Sequence, residues 1–500
     1  MHLCETIIRN ASVFDGTGAE AETADVALSG DRILAVGRSL ELNAEHEVDA
    51  EGLALAPGFI DAHTHDDLSV IADPVMLPKL SQGVTTVIVG NCGICATPVT
   101  LRGELPDPMN LLGDAAAFLY PTFAAYQAAI QAAAPAVNVA ALVGHTALRN
   151  NQMDRLDRPA TNAEIAGMRA QLKEALDAGA LGLSTGLAYL SAYASTTEEV
   201  MELAQPLSAA GAVYVTHMRT EGDGILDAMR EAFTIGRRAR VPVLVSHLKC
   251  AGIDNWGRSS EVLQAIEKAR TAQSAGCDCY PYAASSSTLD LRQVDERVEI
   301  FITWSSPDPQ MAAQKLSAIA EQWKVPQIEA ARRLQPAGAI YHCMAEDDMR
   351  RILRHPATMI GSDGLPNDPM PHPRLWGTFP RVLGRYCRDE KILPLPQAIH
   401  KMTGMTASRF AIAERGLIRE GCFADLTLFD PENIIDTATF SNPRQTAEGI
   451  KAVWVNGVLS YQERKPSHQR GGRFLRRARR PGRSEESAGK TASEGTKGWE

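Results

Sequence analysis

Residues 56–65 read Ala56-Pro57-Gly58-Phe59-Ile60-Asp61-Ala62-His63-Thr64-His65: a turn, a short apolar run, then two histidines one residue apart. Pro57-Gly58 punctuates the chain. In the extended segment that follows, residues i and i+2 point the same way, so His63 and His65 can face one metal. Alone, such a pair also fits two satisfied core histidines. The fold is decided by what repeats around it. Gly58–Asp61, Val84–Val89, Val137–Val143, Leu181–Ser184, Val213–Thr216, Val241–Ser246, Cys277–Tyr280 and Thr358–Gly361 are all apolar and of strand length. Amphipathic helices separate several of them. Thr161-x-x-Glu164 is a capping box opening a helix that Gly179 closes, and Asp223 to Arg240 shows helical apolar spacing with basic residues in its last turns. Eight buried strands alternating with helices over about 350 residues predict an α/β protein with a (β/α)8 TIM-type barrel. A doubly wound open sheet shares the alternation, so closure is not read from it.

Outward from this centre the texture changes. Thr6–Val13 and Asp25–Val36 read as short strands broken at Asp15-Gly16 and Gly30-Asp31, and Ala424–Phe429 and Ile450–Leu459 repeat the pattern with Asn456-Gly457 as a hairpin turn. The two ends are expected to pack as one small β-sandwich: residues 1–56 and 411–463 flank a barrel of 57–410, with an insertion around 285–355 that has its own helical pattern near Met311–Leu334. From Arg464 to Arg483 there are nine basic residues and no acidic ones, so 464–500 reads as a basic, disordered tail. With 45% apolar and 22% charged residues, the 500-residue chain is no collagen, coiled coil or disordered protein. A net charge of −10 argues against nucleic acid as a partner, and no apolar stretch approaches membrane-helix length. Nine cysteines in no framework spacing, and no export signal in Met1–Asn10, predict reduced thiols in a cytoplasmic protein.

Polar residues fall at the strand ends. Cys92 follows Val84–Asn91, His217 ends Val213–Thr216, His247 ends Val243–Ser246, and Asp363 closes Met359–Ser362. Any one of them fits a satisfied core polar group. Together they converge, because all carboxyl ends of a parallel barrel open on one face. Imidazoles and a thiolate suit zinc, leaving a carboxylate for proton transfer. Cys92-Gly93-Ile94-Cys95 could instead be half of a zinc or redox pair, but no second Cys-x-x-Cys follows and the flanking Ala96-Thr97-Pro98 reads as loop. Cys92 is therefore taken as a ligand and Cys95 as packing.

Pro57 to His65 resembles the first-strand signature of the amidohydrolase superfamily. Gly83-Val84-Thr85-Thr86 with Gly90-Asn91-Cys92-Gly93, Ser184-Thr185-Gly186-Leu187, Ser246-His247-Leu248-Lys249-Cys250, Gly361-Ser362-Asp363-Gly364-Leu365-Pro366 and His372-Pro373-Arg374-Leu375-Trp376-Gly377-Thr378-Phe379 resemble the N-acyl-D-amino-acid deacylases, from about residue 5 to 465. The resemblance implies a metallo-hydrolase barrel beside a β-sandwich, acting on a small-molecule N-acyl-D-amino acid. It implies one zinc held tightly by Cys92, His217 and His247, and a second, weaker metal position formed with His63 and His65 and bridged by Cys92. Most amidohydrolases bridge with a fourth-strand lysine; none stands in Leu181–Leu187, and the cysteine is this subfamily's substitution. Asp363 is implied as the metal-site carboxylate that accepts a proton from water and passes it to the leaving nitrogen. Lys249 and Arg374 are the matched partners for the substrate's α-carboxylate, with Tyr189 and Tyr280 adding hydroxyls; a surface ion pair for Lys249 and mouth packing for Tyr280 are the plainer readings. Ser285–Arg297 sits where side-chain preference is set. Arg292 there could receive a D-Glu or D-Asp carboxylate unless Asp290 neutralises it, while Ile302-Thr303-Trp304-Ser305, Pro366-Asn367-Asp368 and Arg381–Tyr386 lean toward the acidic-specific group. The rivals are hydrolysis of a cyclic imide or ureide, and a catalytically dead barrel used for binding.

Overall fold

The computed structural model describes residues 3–478. Eight strands run through its centre: β1 (Phe59–Asp61), β2 (Val84–Val89), β3 (Asn138–Ala141, continued by Val143–Gly144), β4 (Gly182–Gly186), β5 (Val213–His217), β6 (Val243–Val245), β7 (Ala275–Cys279) and β8 (Thr358–Ile360). Each pairs in parallel with the next. The ring then closes. Ala62 N donates to Ile360 O at 3.2 Å and Asp363 N to His63 O at 2.7 Å, and Thr64 bridges Gly364 in parallel. Closure buries the strands on both faces, which is why their sequences are continuously apolar rather than alternating. In the outer ring, Asn162–Asp177 opens on the Thr161/Glu164 capping box and ends before Gly179 at φ +106°, and Ile225–Ala239 carries Arg237 and Arg238 in its last turn.

The chain ends meet in one nine-stranded sheet. Leu3–Val13, Glu22–Ser29, Arg32–Gly37, Asn43–Asp49 and Ala54–Pro57 join Leu426–Phe429, Ile450–Val455, Val458–Gln462 and Lys465–Pro466. The seam is Ala54–Pro57 running antiparallel to Leu426–Phe429. Asn456 and Gly457 turn the hairpin with φ of +50° and +79°, the signs a type I′ turn demands. Buried polar groups tie this sheet to the barrel: Asn138 of β3 donates to Asp425 at 3.0 Å, Asn456 to Asn138 at 2.7 Å, and Arg415 pairs with Asp425.

Between β7 and β8, Ser285–Thr288, Ile300–Ser305, Gln314–Lys315 and Ala337–Tyr341 form an antiparallel four-stranded sheet. Helices Leu316–Trp323 and Gln327–Leu334 cover it, with Ile302, Leu316, Ile319, Leu334 and Tyr341 in a separate core. The next helix, Glu346–Arg354, packs on Ser259–Arg270 in the outer ring, so the inserted unit ends near Tyr341 rather than at 355.

The tail departs from expectation over its described part. Lys465–Pro466 is the sheet's last strand. Val139 N donates to Arg473 O at 2.9 Å, Leu475 N to Val139 O at 2.7 Å, and Arg477 N to Gly179 O at 2.9 Å. Leu475 is buried with Ile60, Ile88, Leu181 and Met359 of the barrel strands, and Phe474 packs edge-on against Phe123 and Tyr126. Charge counting hides the reason: Phe474-Leu475 is an apolar anchor set among arginines. The rest of the expected tail, 479–500, lies outside the described residues. Among the described residues no helix is long and apolar enough to cross a membrane, and all nine cysteines are unpaired.

Candidate active site

The six expected metal-site residues come together where the strands' carboxyl ends open. His63 and His65 follow β1, Cys92 follows β2, His217 ends β5, His247 follows β6 and Asp363 follows β8. Nε2 of His63 and of His247 lie 3.2 and 3.3 Å from Cys92 Sγ. Nε2 of His63 and of His65 lie 3.5 and 3.2 Å from Asp363 Oδ1. Donor atoms of His63, Cys92, His247 and Asp363 are all within 4.8 Å of one another, and so are those of His217, Glu221 and His247.

The backbone is bent to achieve this. Cys92, His247 and Asp363 have φ of +53°, +34° and +49°, a region that non-glycine residues seldom occupy and that clusters at functional sites. Neighbouring backbone must come close. A Cβ on Gly186 would stand 2.1 Å from Cys92 O, and one on Gly361 would stand 2.6 Å from His63 Cβ, so both positions require glycine.

Two carboxylates orient the rings from behind. Asp278 lies 3.3 Å from His63 Nδ1 and accepts from His247 N at 2.9 Å. Glu221 lies 2.9 Å from His247 Nδ1 and 2.6 Å from Lys249 Nζ. Imidazoles held at Nδ1 by carboxylates, with Nε2 turned inward, are the usual arrangement of metal-binding histidines. Sequence reasoning missed both acids. Asp278 sits on β7 and the strand-end rule that found Asp363 would have found it; Glu221 lies four residues past β5, in a loop with no periodicity to mark it.

Burial raises the Cys92 thiol, yet His63 and His247, with hydrogen bonds from His217 and His247, pull it well below its ordinary value. Burial works against charge on His65 and His247, but the hydrogen bond to Asp363 in one case and the Cys92 and Glu221 charges in the other push both up to about 9. Burial likewise opposes the Asp363 charge, and Arg374, His247 and His63 hold it well below the carboxylate range. Imidazoles, a thiol and a carboxylate gathered this closely form a site in which a divalent cation can take the place of protons. The donor set, imidazole nitrogen with one thiolate and carboxylate oxygen, fits zinc.

The site opens into a cavity of about 770 Å³, lined by His65, Tyr189, His217, Glu221, His247, Lys249 and Asp363 on one side and by Asp107, Ser287, Thr288, Asp290 and Arg292 on the other. The Tyr189 ring stands 4.8 Å from His217, and its hydroxyl bonds Ser287. Lys249 is buried in its pair with Glu221, not a surface ion pair. Arg374 lies behind Asp363: Nη1 is 2.8 Å from Asp363 Oδ2 and the guanidinium stacks 4.5 Å from the Tyr280 ring. Tyr280 is buried there, its hydroxyl 3.8 Å from Met344 Sδ. Arg292 is occupied, with Nη2 2.6 Å from Asp290 Oδ2 and 2.8 Å from Ala188 O. Cys95 is buried, its thiol pushed up to about 12 by burial.

A model of the amidohydrolase family matches residues 46–461. The N-acyl-D-aspartate deacylase of Alcaligenes xylosoxydans xylosoxydans is 48% identical over 470 residues, 94% of each chain. Among solved structures, a D-aminoacylase with a binuclear metal centre, activated by one metal and attenuated by the second, superimposes with a TM-score of 0.93 at 46% identity, covering 95% of this chain and 100% of that one. The N-acyl-D-glutamate deacylase of Bordetella bronchiseptica, complexed with zinc and a phosphonate mimic of the tetrahedral intermediate, gives 0.92 at 42% identity over 95% and 100%.

Proposed function

The chain belongs to the amidohydrolase family, and we propose that within it the chain hydrolyses N-acyl-D-amino acids to a carboxylate and a free D-amino acid, using zinc. The observation that carries this reading is the position of Cys92: its sulfur stands among His63, His217 and His247 while β4 carries no lysine, a combination that resembles the deacylases' substitution of cysteine for the bridging lysine of most amidohydrolases. That substitution also disfavours the cyclic imide or ureide reaction. A dead barrel is disfavoured because every donor and the base are present.

Cys92, His217 and His247 would hold the tight zinc, with His63, His65 and Asp363 forming the second, weaker position. When bound, zinc supplies Lewis acidity that brings the pKa of water toward about 7 and polarises the amide carbonyl. Asp363, anionic and on the cavity wall, takes the proton from water as the C–O bond forms. It then delivers that proton to the nitrogen as the C–N bond breaks. Lys249 on the wall supplies a point charge for the α-carboxylate, and Arg374 adds positive charge from behind Asp363, coming within reach as a planar fork only if the substrate draws it from that pair. Tyr189 adds a hydroxyl at the mouth, and Tyr280 serves as the stacking platform for Arg374. With carboxylate and carbonyl both fixed, the side chain of a D-residue has the Ser285–Arg297 wall before it, whereas that of an L-residue meets the barrel. The nine unpaired cysteines support a reducing compartment such as the cytoplasm.

The test is kcat/KM on paired N-acetyl-D- and N-acetyl-L-amino acids and on a hydantoin. Turnover confined to the D-series is expected. Turnover of the L-series or of the hydantoin in preference would sink the reading.

A further inference from the structure

Among the buried cations outside the machinery described so far, one joins the two strands that close the barrel. Lys79, in the turn Leu77–Leu80, has no exposed surface, and its ammonium meets four groups: Asp61 Oδ2 at 2.8 Å, Asp66 Oδ2 at 3.0 Å, Thr64 Oγ1 at 3.0 Å and Ser362 Oγ at 3.0 Å. Asp61, Thr64 and Asp66 belong to β1 and the loop that carries His63 and His65; Ser362 precedes Asp363 at the end of β8. These are the two strands whose meeting closes the barrel. Asp61 completes the link, because Oδ1 accepts from Ser362 N at 2.8 Å and from His63 N at 3.3 Å while Oδ2 accepts from Ser362 Oγ at 2.6 Å. Ser362 Oγ accepts in turn from Gly364 N at 3.1 Å, so the residues on both sides of Asp363 are fixed.

We propose that Lys79 is a positioning residue of the hydrolytic site: by clamping Asp61 and Ser362 together it sets the separation between the histidine pair after β1 and the base after β8. The requirement is geometric. Asp363 holds a φ of +49° that its own backbone does not favour, and His65 Nε2 must stay 3.2 Å from its carboxylate. Nothing in Lys79 reaches the cavity, so it acts only through Asp61, Thr64, Asp66 and Ser362. Burial works against its charge, but Asp61 and Asp66 more than offset this and raise its pKa. A neutral side chain at 79 would leave both carboxylates buried without a cation. The inference rests on the hydrolase reading for its kinetic arm and on metal geometry alone for its second arm.

The test separates charge neutralisation from clamping. Lys79→Met alone should lower the thermal midpoint. Lys79→Met/Asp66→Asn removes one surplus charge without restoring the clamp, and Ser362→Ala cuts the clamp from the other side with all charges kept. Ser362→Ala should unfold cooperatively near the parent midpoint, and the double variant cooperatively between Lys79→Met and the parent because Asp61 keeps its charge, while in both kcat falls roughly 10–100-fold, the range found for groups that orient metal ligands, with KM within about threefold of the parent. Cobalt(II) titration of the metal-free proteins, read at the thiolate-to-cobalt absorption band, should show weakened affinity and an altered band in both. That arm stands even if the substrate assignment fails. Parent kcat and a parent cobalt spectrum in Ser362→Ala would overturn the proposal, as would their recovery in the double variant together with the thermal midpoint; Lys79 would then only neutralise charge.

Discussion

Asp363 concentrates the chemistry at the residue scale. It faces the cavity with one oxygen near His65 and is gripped from behind by Arg374 through the other. Asp363→Asn keeps that shape but cannot shuttle a proton, so turnover should fall about 10²–10⁴-fold with zinc content unchanged, as read by steady-state kinetics and metal analysis of one sample. Arg374→Lys keeps charge and loses the fork. One charge-assisted hydrogen bond is worth about 1.5–3 kcal/mol, so kcat/KM should drop by one to two decades. If the fork serves the α-carboxylate, a substrate amidated there is poor with the parent and insensitive to the change; equal losses on free and amidated substrates would assign Arg374 to holding Asp363 alone. The residues that touch the reacting centre were legible because each follows a strand, and strands are legible from their apolar runs. Glu221 and Lys79 were not, since they act through other residues and carry no spacing of their own; Asp278 stands near the end of β7, within reach of the same rule; Arg374 was visible as a residue, but its place behind Asp363 is a packing fact.

At the scale of elements, eight apolar runs fell on eight strands, because burial on both faces leaves a one-dimensional mark. Closure of β8 on β1 leaves none: it rests on contacts between residues about 300 apart, such as Ser362 with Asp61. The inserted sheet was anticipated as an insertion, but its end near Tyr341 was missed because Glu346–Arg354 reads equally well as an inserted or a barrel helix. The insertion also decides the state of Arg292. Asp290, two residues earlier, takes the guanidinium edge that a substrate carboxylate would need. Asp290→Asn should therefore raise kcat/KM on N-acetyl-D-glutamate about tenfold relative to N-acetyl-D-leucine, the gain of one charge-assisted hydrogen bond. An unchanged ratio would remove Arg292 from side-chain selection.

For the whole molecule, the two chain ends act as a frame. The nine-stranded sheet gathers both, and residues 473–478 then bond Val139 and Gly179 of the barrel, with Leu475 buried among its strand residues. Leu475→Ala should cost about 2–5 kcal/mol of stability as a buried leucine truncation, seen as a lower calorimetric midpoint with kcat unaltered. A composition-based reading treats that segment as solvated because arginine dominates it; two apolar residues are too few to register in a count and enough to anchor a chain. The frame holds the strand ends in place, and the account depends on what those ends bind. The most direct measurement is stoichiometric reconstitution: strip the protein of metal, add zinc in fractions of an equivalent, and follow hydrolysis of an N-acetyl-D-amino acid alongside bound zinc. The site described predicts no turnover without metal, a rise to full activity at about one zinc per chain, and neither tight zinc nor activity in Cys92→Ala. Full turnover by metal-free protein, or full zinc content in Cys92→Ala, would contradict it.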